Sequence, residues 1–339
     1  MSYQIGMNAI CLRPDSRLAH TEYCSHDPLM RHVRQQTGLP FVQAWQYDFV
    51  FITNDGPVPW AERGRTTDMG HAEFQEGGLD RRDPKPCPFR FASEVYAFDA
   101  VQEYGLPDAD ALVDYYEKQY QQGQKTHTDQ VFTAGYYKTI VSGAIEAFGW
   151  EMLLTAAADS RRFERVLDSI FRLSLHHYEA WARTSAPVFI CHDDMVWTQG
   201  PFMDPSFYRA VIFPRYKKLW SVLKAAGKKV LYCSDGDWTL FLDDIADAGA
   251  DGFIFEPLVP LRTVAERFGK THCIISSSVD CRTLTFGTRP QIQAQIDATL
   301  ELAKDCPGFM FAVGNHIPSN VPLENALFFF DYLSQHWFR

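Results

Sequence analysis

The residues best equipped for chemistry in this chain lie between Val230 and Pro257, where VLYCSDGDWTLFLDDIADAGADGFIFEP carries a short apolar strand into a cluster of ligand-capable groups. Cys233, Asp235 and Asp237 follow at a spacing of two, so on an extended segment their side chains share one side. Gly236 lets the chain turn between them. Helical periodicity runs from Trp238 to Ala248, Gly249 stops it, and Asp251–Phe255 forms a second apolar strand ending in Glu256. The result is a β-α-β unit with a thiol and carboxylates at the C-terminal ends of its strands. Such groups can hold a metal or move protons.

Other strand ends carry similar groups: His192-Asp193-Asp194 after PVFIC, Ser276-Ser277-Ser278 after CII, and Asn315-His316 after FMFAVG. A single carboxylate in such a place is most often the N-cap of the next helix. Five strand ends so equipped point to one shared site. Asp193 and Asp194 form the strongest acid pair. Adjacent residues on an extended segment point to opposite sides, so one of the two faces a substrate while the other caps or orients. The facing aspartate serves as hydrogen-bond acceptor or general acid, its pKa set by burial and neighbours. Cys233 reads equally well as a small buried strand-end residue. Asp235 reads equally well as a backbone cap. His71 reads as a surface residue, and His176-His177 as mid-helix packing or surface.

Trp45, Tyr47, Trp60, Tyr136, Tyr137, Trp197 and Trp238 fall in loops or at segment ends near the expected mouth, and all of these but Tyr137 join Asn315 in the candidate substrate-binding set. An aromatic pocket suits a flat or methylated apolar ligand.

These groups need a frame to hold them. From Asp108 onward helices and strands alternate: helix 108–122, strand 129–134, helices 138–158 and 160–184, strand 187–192, helix 205–227, strand 229–233, helix 238–248, strand 251–256, helix 260–268, strand 272–276, helix 289–304, strand 309–313 and helix 322–336. Alternation of this kind implies parallel strands with crossover helices. The 339 residues, 46% hydrophobic, suit one α/β barrel domain spanning 1–339. Asp27-Pro28 opens a helix that runs through Thr37 and ends at Gly38. The β-like pieces and turns of 41–92 read as a cap or insertion beside the barrel mouth.

A net charge of −10 argues against nucleic acid or anionic membrane as partner. No apolar run is long enough for a membrane helix, and the N-terminus lacks the order of a signal peptide, so the expected location is the cytoplasm. Eight cysteines without CxxC spacing suggest reduced thiols.

The segments HDDMVWTQGPFMDPSFYRAVIFPRYKKLWSVLKAAGKKVLYCSDGD and GNHIPSNVPLENA resemble the uroporphyrinogen decarboxylase-like superfamily, which includes that decarboxylase and the zinc methyltransferases of corrinoid-dependent methyl transfer. The resemblance implies a distorted (β/α)8 barrel with its site at the strand C-termini. The arginine-bearing N-terminal segment of the true decarboxylase is replaced here by LRPDSRLAHTEYCSHDPLM, and a porphyrinogen's carboxylates need a cationic cavity. In the methyltransferases a His-x-Cys pair and a later Cys hold zinc. The matching positions here are Cys233, Asp235 and Asn315, so the metal set that the resemblance implies becomes Cys233, Asp235 and His316, joined by Glu256. The expected function is therefore a methyltransferase that moves a methyl group between a small substrate, such as a methoxylated aromatic or a thiol, and a corrinoid carried by a partner protein, with zinc as cofactor. The alternatives are a metal-free decarboxylase or lyase acting on a carboxylated substrate, and a non-catalytic binding barrel.

Overall fold

The computed structural model describes residues 2–57, 73–74, 80–81 and 87–339. Short parallel strands form its centre: β1 (Ala19–His20), β2 (Phe49–Val50), β3 (Val131–Phe132), β4 (Ala134–Tyr136), β5 (Val188–His192), β6 (Lys229–Cys233), β7 (Gly252–Ile254), β8 (Cys273–Ser276) and β9 (Phe309–Phe311). One sheet runs β1-β9-β8-β7-β6-β5-β4, and β2 pairs with β3. All of these pairings are parallel.

Side-chain and loop hydrogen bonds close the circle. Asp48 N donates to His20 O at 2.8 Å, and the Thr21 hydroxyl donates to Phe49 O at 2.7 Å, which ties β1 to β2. Thr133 separates β3 from β4. Its hydroxyl accepts from Ile52 N and reaches the carbonyls of Val50 and Ile52, so β3 and β4 act as a single stave. Eight staves surround one interior. The fold is an α/β barrel of the kind that the alternation of elements implies.

Every strand is apolar on both faces because both are covered. Ala19, Phe49, Val131, Val188, Ile190, Leu231, Cys233, Ile275 and Met310 fill the barrel. Phe189, Cys191, Val230 and Tyr232 face the surrounding helices instead. Helix α1 (Ser2–Ile10) plugs the N-terminal end with Ala9 and Ile10. Gly6 makes that fit: a Cβ there would lie 2.3 Å from Asp48 O.

Most expected elements form where the periodicity places them, including α2 (Asp27–Thr37), which ends at Gly38 with φ 72°. Three differences have local causes. The expected helix 138–158 breaks at Gly149, φ 74°, leaving α3 (Val141–Phe148) buried along its whole length. The expected helix 205–227 contains a π-turn at Tyr208–Ile212 before α5 (Phe213–Ala225), beyond the long α4 (Ser160–Ala182). Pro214, in the first turn of α5, supplies no backbone N–H for an α-helical bond. A short helix at Cys281–Phe286, capped by Asp280, has too few residues to show periodicity. The final helix, α6 (Leu323–His336), packs beside β1 and β9.

The expected cap needs correction. Phe49 and Val50 lie within 41–92, yet they pair in parallel with Val131 and Phe132 and form part of the barrel wall. A two-residue strand is too short to show the alternation that separates a barrel stave from an insertion. Beyond Pro57 most of the range, with Trp60 and His71, lies outside the described residues apart from a ladder of Glu73–Phe74 with Asp80–Arg81.

Candidate active site at the C-terminal end of the barrel

Strand alternation decides which member of the acid pair faces the interior. Val188 and Ile190 point into the barrel, so His192 and then Asp194 follow them inward, while Asp193 points out with Phe189 and Cys191.

Asp193 is a helix cap. Its carboxylate accepts from Ile140 N and Val141 N, both at 3.1 Å, and from Ser142 N at 2.6 Å, where α3 begins. The Tyr216 hydroxyl of α5 donates to it at 2.6 Å. Burial pushes its pKa up to about 6 despite these donors.

Asp194 sits among reactive groups. Its Oδ1 lies 3.4 Å from His192 Nε2 and accepts from Asp235 N at 2.8 Å. Its Oδ2 accepts from the Tyr137 hydroxyl at 3.1 Å. Burial disfavours its charge, but the His192 imidazolium and these donors outweigh burial and hold its pKa below the ordinary value. Burial also works against the His192 cation, yet Cys233 and Asp194 lift that pKa well above the usual range. Cys233 stands in register with His192 across β5 and β6. Burial raises the Cys233 pKa, while the His192 cation pulls it down.

Tyr137 owes its place to a second network. Asp55 Oδ1 accepts from Tyr137 N at 2.8 Å, and Lys138 Nζ lies 2.5 Å from Glu146 Oε1 and 3.3 Å from Asp55 Oδ2. Loops that follow β2 and β4 are thereby locked together, with the Lys138 ammonium 5.0 Å from the centre of the Tyr137 ring.

Asp235, Glu256 and Asn315 complete the rim. Glu256 Oε1 accepts from Gly236 N at 2.9 Å, and burial raises its pKa. Gly236 has φ 83°, and a Cβ there would lie 2.7 Å from Trp197 O. Asn315, held at φ 70°, donates from Nδ2 to Asp235 Oδ2 at 3.2 Å and meets His316 Nδ1 through Oδ1 at 2.5 Å. Beside Glu256, Arg282 is bound to Asp280 through both carboxylate oxygens.

The expected metal ligands meet at this end of the barrel without forming a coordination shell. Asp235 is engaged by Asn315 and Glu256 by Gly236 N. Among the described residues no three His, Cys, Asp or Glu side chains are gathered so as to hold a metal ion. This arrangement does not fit zinc, and no step below is routed through a zinc ion.

The aromatic set divides sharply. Trp45 stacks on Phe330 at 4.8 Å, and Tyr47 packs edge-on to His20 under α6, so both lie outside the barrel wall. Tyr136 is buried against His177 of α4, and Trp238 is buried against Tyr232 and Phe253. These four are core residues, because strand and loop ends carry packing residues as readily as rim residues. Trp197 stays on the rim, 43% exposed in a tight turn beside Trp150 and Phe202. His192 and Tyr137 are the residues that sequence reasoning undervalues. Period-two counting from Val188 marks His192 as inward.

With this geometry in place, comparison with known proteins becomes informative. The family model described as "Uroporphyrinogen decarboxylase (URO-D)" matches residues 144–336, more than half of the chain. The chain belongs to the uroporphyrinogen decarboxylase family. Curated members similar to it include the uroporphyrinogen decarboxylases of Pelobacter propionicus, 25% identical over 197 residues, and of Geobacter sulfurreducens, 22% identical over 196. Each alignment covers 58% of this chain and 55% of the relative, so the chain spans about half the length of the curated relatives it matches. Among solved structures, a methyltransferase from Methanosarcina mazei superposes with a TM-score of 0.67 at 15% identity, covering 98% of both chains. At that identity the likeness speaks for the fold. The matched region contains His192, Asp194, Cys233, Asp235 and Glu256, so these inward strand-end groups lie within it. Among the described residues no helix is long and apolar enough to cross a membrane.

Proposed function

We propose that this protein is a methyltransferase of the uroporphyrinogen decarboxylase family, passing a methyl group between a small substrate and a corrinoid carried by a partner protein. The observation that carries this reading is the inward group of Asp194, His192, Tyr137 and Cys233. It offers a fixed carboxylate, an imidazolium and a phenol to one substrate heteroatom. The corrinoid supplies the metal centre that gives or takes the methyl group. Asp194 orients His192 and accepts a hydrogen bond from Tyr137, so both donors are held in place before substrate arrives. His192 can then donate to the heteroatom as its bond to methyl weakens.

The electrostatics favour this reading over porphyrinogen decarboxylation. Lys138, His192 and Arg282 each lie against a carboxylate, which leaves little positive field for a polycarboxylate. The test is to mix the protein with a methoxylated aromatic and cob(I)alamin and to follow methylcobalamin by its absorbance. Formation that depends on Asp194 supports the proposal. Decarboxylation of uroporphyrinogen without any methyl transfer overturns it. Element analysis of wild type and Cys233→Ala, run in parallel, tests zinc directly: about one zinc lost on substitution would mean that these side chains regroup around metal.

A further inference from the structure

The barrel interior changes character one layer above its core. Phe49, Ile190, Leu231, Ile275 and Met310 are buried and fill the barrel. Counting by twos, the next inward positions include Phe51 just beyond β2 and Ala312 just beyond β9, and Ile254 ends β7 on the same inward side. These three apolar side chains rest on the buried core and are themselves partly exposed. The core fills the space beneath them and the strands flank them, so their exposed faces look into the mouth. They form its floor.

Polar groups rim this floor. His192 stands edge-on to Phe51 with ring centres 6.0 Å apart, and the Tyr137 ring lies 4.2 Å from His192. Asp194, Asp235 and Asn315 continue the rim through their hydrogen bonds. An apolar floor inside a polar rim suits a ligand that is apolar at one end and carries a heteroatom at the other. A polar atom turned down onto Phe51, Ile254 and Ala312 finds no side-chain hydrogen bond there and loses its hydration. The floor is also uneven. Large rings rise on one side, from Phe51, Tyr137 and His192. The β9 and β1 staves bring only Ala312 and Thr21, whose hydroxyl is turned away to Phe49 O at 2.7 Å. Room for a ligand therefore lies over Ala312, where the side chain ends at one methyl group.

We propose that the mouth takes an aryl methyl ether whose far end is apolar, that this end lies against Phe51 and Ile254 with its heteroatom at His192, and that Ala312 limits its size. This rests on the reading of the mouth as the substrate site and narrows its substrate class. The ring faces on one side offer a stacking surface to an aromatic ligand, and the single methyl of Ala312 leaves the depth for a small substituent at the far end. The inference concerns binding, so it can be tested without turnover.

Isothermal titration calorimetry of the full chain with 4-methylphenol and hydroquinone measures the preference directly. The two probes are neutral and nearly equal in size, and they differ only in whether the end opposite the hydroxyl is a methyl group or a second hydroxyl. 4-Methylphenol should bind about tenfold more tightly, because hydroquinone sets a hydroxyl on the floor in either orientation. Ala312→Leu should lower the affinity for 4-methylphenol about tenfold by filling the room it occupies. Ala312→Val serves as the second variant if Ala312→Leu fails to fold, with an expected loss of about threefold. Three results overturn the inference: hydroquinone binding as tightly as 4-methylphenol, no binding of 4-methylphenol to the wild type, or unchanged affinity for it in the folded variant. The two proposals fail separately. Methyl transfer from 4-methoxyphenol as fast as from 4-methylanisole removes this inference alone, whereas the expected binding pattern without any methyl transfer removes the methyltransferase reading alone.

Discussion

Asp193 and Asp194 are joined by one peptide bond and live on opposite sides of the barrel wall. Outside, Asp193 meets the first N–H groups of α3 and the Tyr216 hydroxyl, all neutral donors, and burial pushes its pKa up to about 6. Inside, Asp194 meets the His192 cation, and its pKa falls below the ordinary value. Equal burial thus gives opposite shifts, because a full charge nearby outweighs desolvation where a set of neutral donors does not. The outer side is built to hold a helix, the inner side to hold a charge.

Substitution should separate the two roles. The largest effect is expected for Asp194→Asn, which keeps shape but removes the partner of the His192 imidazolium: turnover in the methylcobalamin assay should fall about 10²–10⁴-fold with the melting temperature little changed. Equal loss in Asp193→Asn would erase the contrast. Asp193→Ala should act on stability instead, lowering the unfolding free energy by about 2–4 kcal/mol in urea titrations, since three backbone donors lose their acceptor. The pH dependence follows from the sign of the Asp193 shift. A carboxyl whose folded pKa is raised contributes stability that is fully present below its unfolded pKa and is lost as pH climbs through about 6. Asp193→Asn should therefore remove a fall on the order of 3 kcal/mol between about pH 4 and pH 6, visible as a flatter plot of unfolding free energy against pH. The smallest effect belongs to Tyr137→Phe, which deletes one donor to Asp194 and should slow turnover about tenfold without changing the pH dependence of stability.

Much of this was legible in the chain. The long, strongly periodic elements from Asp108 onward appear close to their expected places, and the alternation of inward and outward residues already implied that Asp193 and Asp194 part company. The sequence could not say which was which, because that depends on the strand's phase, and the phase shows only once Val188 and Ile190 are seen to fill the barrel. β1 and β2 stayed hidden because two-residue strands leave no pattern, and their pairing is decided by contacts such as Thr21 with Phe49 O. The aromatic residues were the least legible. Trp45, Tyr47, Tyr136 and Trp238 sit at segment ends, where neighbours from distant parts of the chain decide between core and rim. The ring contacts of Tyr137 with His192, His192 with Phe51, Phe51 with Tyr23 and Tyr23 with His316 show the same limit: these residues are scattered along the chain, and only closure of the barrel brings them side by side.

That closure carries a kinetic consequence. β1 pairs with β9 through only Ala19↔Met310 and His20↔Phe311, and the joint is reinforced by Val313 N on Glu22 and by His26 with Val321 O, residues 291 and 295 positions apart. Bringing such distant segments together costs loop entropy that two short pairings return only when the wall between them already stands. During synthesis the first stave must therefore wait for the last. In the finished protein the amides of this seam should exchange with solvent ahead of those of β5 and β6, as hydrogen-exchange mass spectrometry would show.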